Sequence, residues 1–274
     1  MEDIRVFLEN YDVIDDFTLA EPLVKNKSLF KQRILEDFDK LLAIKDKHKG
    51  CKTIIMGLGP SLLDIDKNAY RDAIKITCND FHKVPNFFSD NFIPDFWCAA
   101  NCLKDISDAL SICLKNDITC FLTLTRNAEL EIVHNDMKEY SPNIITWLWN
   151  EKIFQNLIKQ KYAIATTYSH CNTIVNHMLA FAMWIGSSCI DIAGFDLSYH
   201  KSYENTGMTH AGFNLRDTLS NDSRGIFALD DLVERKKIIN DLQYLCMIAY
   251  NNNIKVNNLS YKVNKLPYNL SYEK

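Results

Sequence analysis

Two rhythms of apolar residues alternate along the chain. Short, β-branched and aromatic runs have the pattern of buried strands. Longer segments, in which apolar residues return every third or fourth position, have the pattern of amphipathic helices. The first rhythm predicts strands at 53–56 (Thr53-Ile54-Ile55-Met56), 73–78, 94–100, 119–124, 143–149, 189–193 and 254–256. The second predicts helices at 103–115, 172–185 and 229–250. In the middle helix Ile174, Met178, Phe181, Ala182 and Ile185 share a face, and Gly186 stops it. Upstream, 28–48 sets Leu29, Ile34, Phe38, Leu41, Leu42 and Ile44 at near-helical spacing with charges between them. Strands alternating with helices specify an α/β fold with a mainly parallel sheet and flanking helices. Residues 1–50 are expected to form an N-terminal helical extension and 51–274 the main domain. The stretch from Tyr199 to Gly225 is polar and poor in aliphatics, so a long lid-like loop is expected there.

A parallel sheet binds ligands beyond the carboxyl ends of its strands. Several otherwise unrelated residues fall at those ends. Gly57 and Gly59 follow the first strand, and glycine lets another group approach the main chain closely. Backbone N–H groups and the Ser61 hydroxyl there suit a phosphate or carboxylate at a strand-to-helix turn. The same glycines also suit a tight turn with no ligand, and the segment matches neither GxxxxGK[ST] nor GxGxxG. Asn79 and Asn101 close the second and third strands. Each offers an uncharged donor and acceptor suited to a base, a ribose or a sugar hydroxyl, or simply to a turn. Asn172 and Thr173 stand before an apolar helix as capping residues, at a helix end that also attracts anions. Asp196 ends the sixth strand, close to Tyr199 and Tyr203. His210 lies in the long loop, where an imidazole can act as a general base near neutral pH.

Composition narrows the classes. The 274 residues are 47% hydrophobic, with a formal net charge of −4. That balance argues against a broad nucleic-acid footprint. The nine cysteines are odd in number, contain no CxxC and lack metal-ligand spacing, so they are expected to be free thiols in a reducing compartment. The apolar stretch 174–190 is too short and too polar to span a bilayer. The acidic N-terminus lacks the layout of a signal peptide. A cytoplasmic location, at most peripheral to the inner membrane, is expected; homo-oligomerisation is left open.

In order, GLGPSLLDID, TCND, WCAAN, WIGSSCIDIAGFDLSY and THA resemble the MptE-like (DUF115) group and the sialyltransferases of glycosyltransferase family 42. The resemblance covers roughly residues 51–260 and implies a Rossmann-like domain. It implies a glycosyltransferase that uses a nucleotide-activated sugar of the CMP-sialic or nonulosonic acid type to modify a surface glycan or protein, with no cofactor required. Under it Gly57, Gly59 and Ser61 cradle the donor's phosphate or sugar, and Asn79 and Asn101 contact the donor. Asn172 and Thr173 lie near its carboxylate, and Asp196 belongs to the same donor site. Tyr199 and Tyr203 hydrogen-bond the leaving phosphate, and His210 deprotonates the acceptor. The alternative within the same resemblance is a 6-hydroxymethylpterin diphosphokinase-like enzyme using ATP and Mg²⁺, for which Asp64, Asp80 and Asp196 are the available carboxylates. A non-catalytic nucleotide-binding protein is the third reading. Three positions depart from the sialyltransferase pattern. Leu58 stands where an Asn precedes Gly-Pro-Ser, His170-Cys171-Asn172-Thr173 replaces a Ser-Gly pair, and Ser198 occupies the place of the first tyrosine.

Overall fold

The computed structural model describes residues 35–37, 39–85, 88, 92–99, 103–124, 143–148, 174–196 and 232–262. Each predicted strand is present: β1 (Lys52–Met56), β2 (Ile74–Cys78), β3 (Phe96–Ala99), β4 (Thr119–Leu124), β5 (Ile144–Leu148), β6 (Cys189–Ala193) and β7 (Lys255–Asn258). They form one seven-stranded sheet in the order β5-β4-β3-β2-β1-β6-β7. Every pairing is parallel. This is the α/β, Rossmann-like architecture expected. A parallel sheet is covered on both faces, so its inner strands have continuous apolar runs. Thus Thr53–Met56 of β1 and Phe96–Ala99 of β3 are buried without alternation.

Among the described residues, α1 (Leu103–Lys115), α2 (Ile174–Trp184) and α3 (Leu232–Asn251) flank the sheet. All 11 residues of α2 are buried, because α2 lies against β1, β2 and β3 on one side and α3 on the other. A helix enclosed on all sides is apolar over most of its surface, and here only Asn176 and His177 are polar. Phe181 anchors it, stacking on Phe121 at 4.9 Å and meeting Phe96 edge-on at 5.1 Å.

A helix ending inside a domain needs partners for its last carbonyls. The chain before β1 supplies them. Asp46 N–H donates to Trp184 O (3.0 Å), His48 N–H to Ile185 O (2.8 Å) and Gly50 N–H to Gly186 O (3.0 Å). Trp184 Nε1 donates in return to Leu41 O at 2.8 Å. Gly186 takes φ +96°, and a Cβ there would lie 2.9 Å from Lys49 Cα. Of the expected 28–48 helix, 35–37 and 39–43 are helical among the described residues and 44–50 are turns.

Two strand limits differ from expectation by two residues, the start of β3 and the end of β7. β3 starts at Phe96, because Pro94 has no N–H for the ladder. Asp95 clasps β2 with both backbone and side chain: its N–H donates to Lys75 O at 2.9 Å and its Oδ2 accepts from Lys75 N–H at 2.8 Å. β7 runs on to Asn258, and its polar residues are used. Asn257 Nδ2 donates to Asp191 Oδ1 at 2.5 Å, while Tyr70 OH (2.7 Å) and Lys52 Nζ (3.0 Å) reach Asp191 Oδ2. Lys52 also lies over the Tyr70 ring, 4.3 Å from its centroid. Burial alone would raise the Asp191 pKa, but these three partners outweigh it and hold the carboxyl below its ordinary range.

Removing the Asp191 carboxylate should therefore leave buried donors unsatisfied. Asp191→Ala is expected to destabilise by about 3 kcal/mol in urea unfolding at pH 7. A lowered folded-state pKa gives stability that is present above the unfolded pKa and lost as pH falls through the folded one. The difference between wild type and variant should accordingly close in acid. An equal difference at pH 7 and pH 2 would contradict this account.

Candidate functional site

The chain winds from β1 outward through β2, β3, β4 and β5, then crosses back to lay β6 on the other side of β1. The strand order thus reverses between β1 and β6. In an open parallel sheet this switch point, at the carboxyl ends of the strands, is where a ligand crevice is expected. Met56 and Ala193 are the last residues of the two strands and lie opposite each other in register. The segments Gly57–Ser61 and Gly194–Asp196 therefore leave the sheet side by side.

The two segments are bonded to each other. Gly57 N–H donates to Ala193 O (2.8 Å) and Gly59 N–H to Gly194 O (2.9 Å). Ser61 N–H donates to the Asp196 carboxylate at Oδ2 (3.0 Å). The glycines are what permit this closeness. A Cβ at Gly57 would stand 2.4 Å from Gly194 O, and one at Gly59 would stand 2.2 Å from Asp196 Oδ2. Gly194, at φ +67°, would place a Cβ 2.2 Å from Gly57 O. The space beside each glycine is filled by the chain itself. After the turn the backbone enters a 3-10 helix, Pro60–Asp64, rather than an α-helix, so the strong helix dipole expected of a strand-to-helix turn is missing at Ser61.

Asp196 is buried. Burial pushes its pKa up, and the nearby Asp64 charge adds to the push, while the Ser61 hydroxyl and amide pull against it. Its Oδ1 makes no hydrogen bond, nor does the buried Ser61 Oγ, although that hydroxyl is close enough to favour the ionised acid. Beyond β2, Asn79 takes φ +41°, a conformation that asparagine tolerates better than most residues. Its backbone is fixed from β3: Trp97 Nε1 donates to Asn79 O at 2.9 Å, and Asn79 N–H donates to Cys98 O at 3.0 Å. Its side-chain Oδ1 is buried and without a partner. Asp80 beside it pairs with Lys83 Nζ at 2.9 Å.

The structure thus brings Gly57, Gly59, Ser61 and Asp196 together at the switch point and sets Asn79 on the same edge. Asn101, Asn172, Thr173, Tyr199, Tyr203 and His210 lie outside the described residues. Two residues of this edge were not anticipated. Ser260 Oγ accepts from Phe195 N–H at 2.8 Å and so holds the segment between Gly194 and Asp196. Asn258 Oδ1 accepts from Ser260 N–H at 3.0 Å. Both belong to an asparagine-rich tail that carries no periodic signal. Among the described residues no group of three or more His, Cys, Asp or Glu side chains is placed to hold a metal ion, so Asp64, Asp80 and Asp196 form no such cluster. Nor is any described helix long and apolar enough to cross a membrane. The seven described cysteines are free thiols, and burial pushes the pKa values of Cys78 and Cys98 upward.

No protein-family model and no curated protein sequence matches the chain. Among solved structures it is similar to the sialyltransferase CstII from Campylobacter jejuni in complex with a substrate analogue, cytidine-5'-monophosphate. The TM-score is 0.48 at 17% identity, over 82% of this chain and 88% of that one. A similar match is to the sialyltransferase CST-II in complex with trisaccharide acceptor and CMP, with TM-score 0.47, 19% identity, and 81% and 89% of the two chains covered. Similarity at this level carries no conclusion about activity or ligand.

Two substitutions separate the roles at the junction. Gly59→Ala forces a methyl into the Asp196 carboxylate and the Gly194 carbonyl; the expected cost is about 1–3 kcal/mol in urea unfolding. Unchanged stability would mean that the β1 and β6 segments are not closed on each other. Asp196→Asn retains an oxygen for Ser61 N–H but cannot ionise. A raised folded-state pKa means stability is fully present below the unfolded pKa and lost as pH rises through the folded one. The Asn variant should consequently melt higher than wild type at pH 7, with the gap shrinking towards pH 3. A variant that melts lower at pH 7 would contradict this.

Proposed function

We propose that the chain is a glycosyltransferase that takes a nucleotide-activated sugar, of the CMP-sialic or nonulosonic acid type, and transfers the sugar to a glycan or protein acceptor. One observation supports this reading most. The two segments carrying the family resemblance, GLGPS and GFD, are joined at the sheet's switch point by a hydrogen bond between residues 135 positions apart. Beside that bond stand buried polar atoms, Ser61 Oγ and Asp196 Oδ1, that form no hydrogen bond, although the two side chains lie close enough to influence each other. Buried polar groups normally find partners, and those left without one favour a polar ligand.

In this reading the donor lies along the carboxyl edge, over Gly57, Gly59, Ser61, Asn79 and Asp196. Asn101, Asn172 and Thr173 extend the donor site. A single displacement at the sugar carbon needs a base for the acceptor hydroxyl and a means of stabilising the departing phosphate. His210 is proposed as that base, and the Tyr199 and Tyr203 hydroxyls as donors to the phosphate. No metal has a required role in these steps.

Thermal melting with CMP, CDP, UDP, GDP, ADP and ATP, each with and without Mg²⁺, tests the donor class by mass action. CMP should raise the melting temperature, with no need for Mg²⁺. A response confined to ATP with Mg²⁺ would replace this reading with the diphosphokinase-like one. With a CMP-sugar donor and an acceptor, His210→Ala should lower kcat by ~10²–10⁴-fold and leave donor affinity nearly unchanged. Wild-type turnover in that variant would remove His210 from the chemistry.

A further inference from the structure

The amide that would be offered to a donor phosphate already carries an anion. Ser61 N–H donates to Asp196 Oδ2 at 3.0 Å, and Gly59 N–H donates to Gly194 O at 2.9 Å. A phosphate placed on this turn would displace the carboxylate and then face it as a like charge. What the junction leaves unsatisfied is of another kind. Asp196 Oδ1 and, one strand over, Asn79 Oδ1 are buried acceptors that no hydrogen bond reaches, and the buried Ser61 Oγ forms none either, although it lies close enough to the Asp196 carboxyl to favour its ionised form. Two acceptors and one hydroxyl ask for groups that donate and can also accept. Hydroxyl groups do both, whereas an exocyclic amine of a base only donates and a phosphate dianion only accepts.

We propose that Asp196 and Ser61, aided by Asn79, recognise hydroxyl groups of the donor, and that its phosphate is held elsewhere. Asp196 is then a specificity-determining acceptor, and its pairing with Ser61 N–H fixes one oxygen so that the other faces the ligand. The inference rests on the donor reading above. Those hydroxyls come either from the ribose or from the transferred sugar.

The test is calorimetric titration of the full chain with CMP, 2'-deoxy-CMP, 3'-deoxy-CMP and an unreactive CMP-sugar, in wild type and in Asp196→Asn. In Asp196→Asn the ligand-facing oxygen becomes an amide donor. If the ribose is recognised, CMP should bind about 10-fold or more weakly to the variant, and one deoxy nucleotide should bind wild type weakly by a similar factor. The variant's defect should vanish with that analogue, as one lost contact cannot be lost twice. If the sugar supplies the hydroxyls, CMP should bind both proteins equally and the CMP-sugar should lose the same factor in the variant. Equal or tighter binding of every ligand by Asp196→Asn overturns the proposal, because removing a charge beside a phosphate would strengthen binding. Wild type that binds none of these ligands would instead overturn the donor reading, and this proposal with it. Melting of the variant at the same pH confirms that it is folded in each case.

Discussion

The close approach of the β1 and β6 ends holds the rest in place. Two strands that are far apart in sequence pair in register up to Met56 and Ala193, and the segments beyond them continue to bond, amide to carbonyl and then amide to carboxylate. Only residues without a Cβ allow that spacing. Gly57 and Gly194 therefore decide where the chain leaves the sheet, and Gly59 makes room for Asp196. Once they are fixed, Ser61 and Asp196 have one relative position, and the strand edge acquires its polar character at the switch point.

Two acids of the same stretch of chain show how differently a buried carboxylate can be used. Asp191, inside β6, has three partners, and they more than offset its burial. It ties β6 to β7 and to the segment after β1, and it is structural. Asp196, just past the end of β6, has one formed hydrogen bond, an acid neighbour in Asp64, and one oxygen with no partner. Its ionised form is disfavoured where it sits. Groups that cost the fold in this way concentrate at binding and catalytic sites, where a ligand supplies what the fold withholds.

Much of this was legible in the sequence. Strands buried on both faces leave uninterrupted apolar runs, and α2, enclosed by sheet and helix, shows as an apolar segment closed by Gly186. The carboxyl-edge rule then located Gly57, Gly59, Ser61, Asn79 and Asp196 without coordinates. What the sequence could not show was who approaches the glycines. A glycine marks a close approach but not its partner, and here the partner is the chain's own Gly194 carbonyl and Asp196 carboxylate rather than a ligand. Asn257, Asn258 and Ser260 escaped notice for a related reason. Their roles come from contacts with β6 and its end, across the sheet, and no local periodicity records such contacts. The strand-to-helix turn after β1 leads into a short 3-10 helix, with Pro60 at its start.

The most direct test of the account is a crystal structure of the chain with an unreactive CMP-sugar bound. The account predicts the ligand across the carboxyl ends of β1 and β6, with a ligand hydroxyl within hydrogen-bond distance of Asp196 Oδ1 and Ser61 N–H still on Oδ2. A phosphate seated on Ser61 N–H with the Asp196 side chain turned away would contradict it, as would a ligand bound away from that edge.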